Sequence, residues 1–228
     1  MTFSIQNNTT INTALDSVQG GSRSIQQDDV IQQQELEQPE QQQRAACYGL
    51  LAAVLRQPPN QDILDYIGQL SGDSSQTADE LLLSMSALGL AAGLHDPQML
   101  DDEYHDLFIG LGRGEVVPYG SWYLTGFLQE KPLSDLRCDL SALGFTRSDD
   151  TKEPEDHAAA LCEIMQMLVS ESQQFEVQQK FFNTHLAPWI DRFFADLATS
   201  PSAVFYQTVA RFGTAFVAFE SAYLSMQT

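Results

Sequence analysis

The chain has 228 residues, with 11 Lys and Arg against 31 Asp and Glu, a net charge of −20, 43% hydrophobic residues and three cysteines. That size suits one domain with a tail. A surface this negative repels nucleic-acid phosphates and anionic lipid heads, and offers no basic stripe for either. Arg56 and Pro58–Pro59 interrupt the longest apolar run, so no membrane span is expected. The first residues lack a basic n-region and an apolar h-region, so no secretory signal is visible and the expected location is the cytoplasm. Cys47, Cys138 and Cys162 are odd in number and far apart, which argues against disulfides or a metal site and for small buried hydrophobes.

Residues 1–43 are rich in Gln, Asn, Ser and Thr and contain a single aromatic, Phe3. Such a segment buries too little apolar surface to offset its ordering, and is expected to be a flexible tail, turning helical between Asp28 and Gln43. From 44 to 228 the pattern is helical. Cys47, Leu50, Leu51, Val54 and Leu55 recur at helical spacing until Pro58–Pro59 stops them. Asn60 caps a short helix, and Thr77-Ala-Asp-Glu80 has the form of a capping box for a helix reaching about Gly93. Asp96–Pro97 opens a helix that Gly110 ends.

A glycine-containing loop, Gly110 to Gly120, follows, then helices near 121–129 and 132–143. The polar stretch 145–153 separates this half, about 44–144, from a second of about 154–228 and is expected to act as a hinge. The second half reads as helices of about 154–172, 174–183, 185–198 and 201–226. In the last, Phe205, Val209, Phe212, Phe216, Phe219 and Tyr223 fall on one face and form a core stripe. Val116–Val117 is too short for a strand and nothing alternates with period two. The expected class is all-α, a compact multi-helix bundle of two helical halves joined by a hinge loop.

Two places carry chemistry. The loop from Gly110 leads through Pro118 and Ser121 and holds Tyr119, Trp122 and Tyr123, large aromatics with polar handles between two helices that either pack the loop down or form a recognition surface. Its glycines match neither a dinucleotide fingerprint nor a Walker A motif. The second is Glu153-Pro-Glu-Asp-His157, where Pro154 suits a first helical turn and Glu155 and Asp156 complement a helix N-terminus. His157 heads the apolar stripe Leu161, Ile164, Met165, Leu168, so it is either a packed core histidine or part of an Asp156–His157 couple. The acidic run Asp101, Asp102, Glu103, His105, Asp106 has no metal-ligand spacing and reads as a solvated face.

Glu103-Tyr-x-x-Leu107-Phe-x-Gly110-x-Gly112, Pro118-Tyr-x-Ser121-x-Tyr123 and Glu153-Pro-Glu-Asp-His157-x-x-x-Leu161-x-Glu163-x-Met165 together resemble the signatures of the redox enzyme maturation chaperones, the TorD/DmsD/NarJ-like family. Arg44-Ala-x-x-Tyr48 and His185-x-x-x-Trp189 agree, and the resemblance runs from about Arg44 to Glu220. It implies an all-helical cytoplasmic chaperone, not an enzyme, without a cofactor or metal of its own. Its partner would be a molybdenum- or tungsten-cofactor oxidoreductase, bound as apoprotein by its twin-arginine signal peptide until cofactor is inserted. The implied peptide-binding residues are Tyr104, Phe108, Pro118, Tyr119, Ser121, Trp122, Tyr123, Glu155, Asp156 and His157. A client arginine would lie on the Tyr or Trp faces and pair with Asp156. Where many members have Asp in the aromatic loop, this chain has Thr125. The resemblance also carries a weak guanine-nucleotide partner, and a monomer or a domain-swapped homodimer. The alternatives are a nucleotide-regulated binding protein and a hydrolase using the Asp156–His157 pair.

Overall fold

The computed structural model describes residues 3–5, 23–70, 79–147, 153–171 and 173–226. Among them the chain is all-α. The first half holds α1 (Arg23–Arg56), α2 (Gln61–Gly68), α3 (Glu80–Ala92), α4 (Pro97–Tyr104), α5 (Gly120–Thr125) and α6 (Lys131–Ala142), and the second α7 (Ala158–Ser170), α8 (Phe175–His185), α9 (Ile190–Thr199) and α10 (Phe205–Met226). A five-residue π-helical segment, His105–Ile109, continues α4 until Gly110 turns the chain at φ +59°.

Several boundaries differ from the sequence reading. Helix α1 begins at Arg23, ahead of Asp28, and runs through Pro39, because glutamine and glutamate propagate a helix once the apolar turns after Arg44 have nucleated it. Two short strands that the pattern does not announce, β1 (Phe3–Ile5) and β2 (Phe145–Arg147), pair antiparallel with Ile5 opposite Phe145. The first residues of the expected hinge thus form β2; residues 148–152 lie outside the described residues. So do Thr77 and Ala78, and Asp79 caps α3 by accepting the Leu81 and Leu82 N–H groups. Asn60 and Asp96 cap α2 and α4 as read.

Helix α7 packs along α1, and α10 packs on α3 and α9. Five members of the α10 stripe are buried, but Phe219 is 41% exposed. It sits about 40° behind Phe205 around the helix, at the edge of the apolar stripe. Gly213 lets α10 approach α9 closely, since a Cβ there would collide with the Phe194 ring. A polar knot crosses this core. Arg44 of α1 donates to both carboxylate oxygens of Glu220 on α10 and to Gln178 of α8, and Tyr48 donates to Glu220. Cys47 and Cys162 are buried, where burial lifts each thiol pKa to about 12, whereas Cys138 is exposed on α6, on its solvent side.

Candidate functional site

The motifs of the two halves meet at one place. After the π-helical segment the chain folds back on itself, Val116 N–H donating to Leu107 O at 2.9 Å, turns at Pro118, where Tyr119 N–H donates to Val117 O, and is extended at Tyr119. There Gly120 N–H donates to Asp156 O at 2.9 Å and Ala158 N–H to Pro118 O at 2.8 Å. This isolated antiparallel bridge, Tyr119 opposite His157, sets the starts of α5 and α7 side by side. The residues from Pro154 to His157 form a turn ahead of α7 rather than its first turn, because His157 is the cap: its Nδ1 accepts the Ala159 N–H at 3.1 Å.

Each acidic residue of the second motif has a separate task. Glu153 accepts the Tyr119 hydroxyl at 2.7 Å, and burial, reinforced by that bond, pushes the phenol pKa up. Glu155, buried, takes the Arg137 guanidinium of α6 at 2.8 Å. Asp156 accepts the Ser121 N–H at 2.8 Å through Oδ2 and so caps α5. His157 is 5% exposed, and burial lowers its pKa to about 4. No Asp156–His157 hydrogen bond is found among the described residues, and the imidazole's second nitrogen lies 3.9 Å from Glu153. A neutral ring whose Nδ1 is committed to a helix cap is poorly arranged for proton transfer.

The aromatic loop is likewise engaged. The Trp122 ring carries the Arg113 guanidinium 4.9 Å from its centroid. Tyr123 stacks on Trp189 at 5.5 Å, carries Arg192 at 5.8 Å and donates its hydroxyl to Asp196 at 2.9 Å. One arginine of the chain itself thus lies against each of the Trp122 and Tyr123 rings. Tyr104 is buried, its hydroxyl donating to the carbonyls of Leu55 and Arg56 at the end of α1, and burial lifts its pKa to about 12. Phe108 packs on Tyr104 and Tyr206. Both form the inner wall behind the loop, while Pro118, Tyr119, Ser121, Glu155, Asp156 and His157 gather at the bridge. Thr125 donates to the Ser121 carbonyl and ends α5.

Two hollows flank the bridge. A partly enclosed cavity of about 180 Å³ lies between α5, α6 and α8, with Ser121, Asp156, Leu136, His185 and Trp189 in its wall. An open groove of about 580 Å³ runs past Trp122, Tyr123 and Leu124 toward Arg192 and Asp196. Beside it the end of α5 and the α5–α6 turn present Leu124, Phe127 and Leu128 to solvent. The acidic run at 101–106 is exposed except at Glu103, which accepts the N–H groups of Val204, Phe205 and Tyr206 and so caps α10. Among the described residues no side-chain cluster could hold a metal ion, and no helix is long and apolar enough to cross a membrane.

Sequence reasoning missed the cavity's far side. His185 and Trp189 stand one helical turn apart, the indole donating to the His185 carbonyl at 2.7 Å, and their spacing was visible only as a flanking motif. Asp139, which pairs with His185 at 2.9 Å across the halves, gives no local signal.

Residues 69–195 match the family model described as the nitrate reductase delta subunit. The chain is 25% identical over 205 residues to the chaperone protein TorD of Vibrio atlanticus, covering 81% of this chain and 95% of that one. It is 28% identical over 196 residues to the chaperone protein TorD of Vibrio cholerae, covering 77% and 89%. The crystal structure of a redox enzyme maturation protein from Archaeoglobus fulgidus is similar in fold, with a TM-score of 0.51 at 20% identity over 78% of this chain and 93% of that one.

Proposed function

The chain belongs to the nitrate reductase delta subunit family, the TorD/NarJ-like group, and on that premise we propose that it is a cytoplasmic maturation chaperone for a molybdenum- or tungsten-cofactor oxidoreductase. It binds the N-terminal, twin-arginine segment of the apoenzyme without altering it, and holds it back from export until cofactor is in place. The observation that carries this reading is the Tyr119–His157 bridge, which seats the aromatic loop against the carboxylates ahead of α7, beside the exposed Leu124, Phe127 and Leu128. A basic stretch followed by an apolar one matches that order of surfaces. The net charge of −20 steers the basic end toward the chain. With Arg113 and Arg192 on the Trp122 and Tyr123 rings, the loop contributes apolar area and the carboxylates contribute the charge.

Photo-crosslinking tests the reading. Benzoylphenylalanine placed at Phe127 should capture a synthetic twin-arginine leader peptide, and placed at Tyr66, exposed on α2, it should not. Equal capture at both positions, or none at Phe127, would contradict the proposed surface.

A further inference from the structure

We propose that the outer face of α3 is a docking surface for a second copy of this chain. Along it Leu83, Ala87, Leu90 and Leu94 follow one another at spacings of four, three and four, the a/d order that seats one helix against another. At helical pitch the four share one narrow arc. Leu88 and Ala92, on the other side of the helix, are buried in the core, where α10 and α2 pack against α3. A helix this apolar all round is normally enclosed on every side. Here Leu90 is 66% and Leu94 79% exposed, Leu83 and Ala87 are partly exposed, and Leu82 beside them is open to solvent as well.

Charge selects the occupant. No residue from Leu81 to Leu94 is charged, in a chain whose net charge is −20. Two such copies repel wherever their carboxylates face each other, and α3 lets them touch where none stands. A basic segment is drawn to carboxylates and finds none on this face. The nearest acids stand at the two ends of the helix: Asp79 and Asp96 hold helix caps, and Glu80 takes the Arg211 guanidinium at 2.8 Å.

The seam is also its own complement. When two copies of α3 lie antiparallel about a two-fold axis between Ala87 and Leu90, Leu83 meets Leu94 of the partner subunit and Ala87 meets Leu90 of the partner subunit. A large side chain then lies over a small one at the centre, in an isologous contact that closes as a dimer. This pairing leaves each chain's two halves folded on themselves and shares no residue with the proposed client surface.

Sedimentation equilibrium of the full chain at low and high salt tests the surface. A reversible dimer is expected, and it should tighten as salt rises, because screening weakens the repulsion between two acidic chains and leaves the apolar contact. Leu90→Glu combined with Leu94→Glu puts carboxylates from both copies into the seam and should weaken the dimer at least roughly tenfold. Both leucines are exposed, so the urea midpoint of that variant should not move. Disulfide trapping reads the contact itself, in a Cys138→Ser background that leaves only the buried Cys47 and Cys162. Mixed Ala87→Cys and Leu90→Cys copies should join, and Tyr66→Cys copies, exposed on α2, should not. A chain that stays monomeric at hundreds of micromolar in high salt, a dimer that survives the double variant, or trapping as strong at Tyr66 overturns the surface.

Discussion

Tyr119 and His157 are joined twice over: their backbones pair across the bridge and their rings meet edge to face, 5.0 Å between centroids. The second contact holds the imidazole in the core, where burial keeps it neutral down to about pH 4 against a usual 6.5. Between those values the unfolded chain binds a proton that the folded chain does not. Stability is therefore complete above pH 6.5 and falls as pH drops toward 4, by at most about 1.4 kcal/mol per pH unit. Urea unfolding at pH 7 and pH 5 should show the loss. His157→Asn keeps a good helix cap without a titrating group, and should shrink the difference between the two pH values.

The Arg44–Glu220 pair is buried on both sides, and its worth lies in both partners being present. Removing one leaves an uncompensated charge, so Glu220→Ala should cost about 3–5 kcal/mol. Replacing both by Met should cost less than the sum of the single changes. Denaturant midpoints of the two single variants and the double variant decide this.

Glu103, first residue of the Glu-Tyr-x-x-Leu-Phe motif, caps α10 from across the fold. Glu103→Ala should cost about 1–2 kcal/mol and lower Tm by roughly 2–8 °C. Leader affinity measured well below that Tm should not change, because the carboxylate points at the α10 start and not at the bridge.

If the acidic surface steers a basic segment, salt should slow its arrival more than it speeds its departure. Stopped-flow binding at low and high ionic strength reads the two rates separately. Rates that ignore salt would leave the apolar surface acting alone.

Helix positions were legible where apolar residues recur at helical spacing, as from Cys47 to Leu55 and from Phe205 to Tyr223. The ends were less so. Proline and acidic residues at 154–156 resemble a first helical turn, yet the bridge to Pro118–Gly120 holds them in a turn and moves the cap to His157. The site was legible as two motifs but not as a geometry. Which ring face is free depends on Arg113 and Arg192, and local patterning does not show which ring a distant arginine reaches. The cavity needed the fold itself, because Asp156, Thr184 and Trp189 come from segments with no shared pattern.

Calorimetric titration of the full chain with the twin-arginine leader of a molybdenum enzyme from the same organism, followed by mass measurement of the peptide, tests the central claim most directly. The account predicts saturable heat and an unchanged peptide mass. No heat at high micromolar concentration from any such leader, or a peptide whose mass has changed, would contradict it.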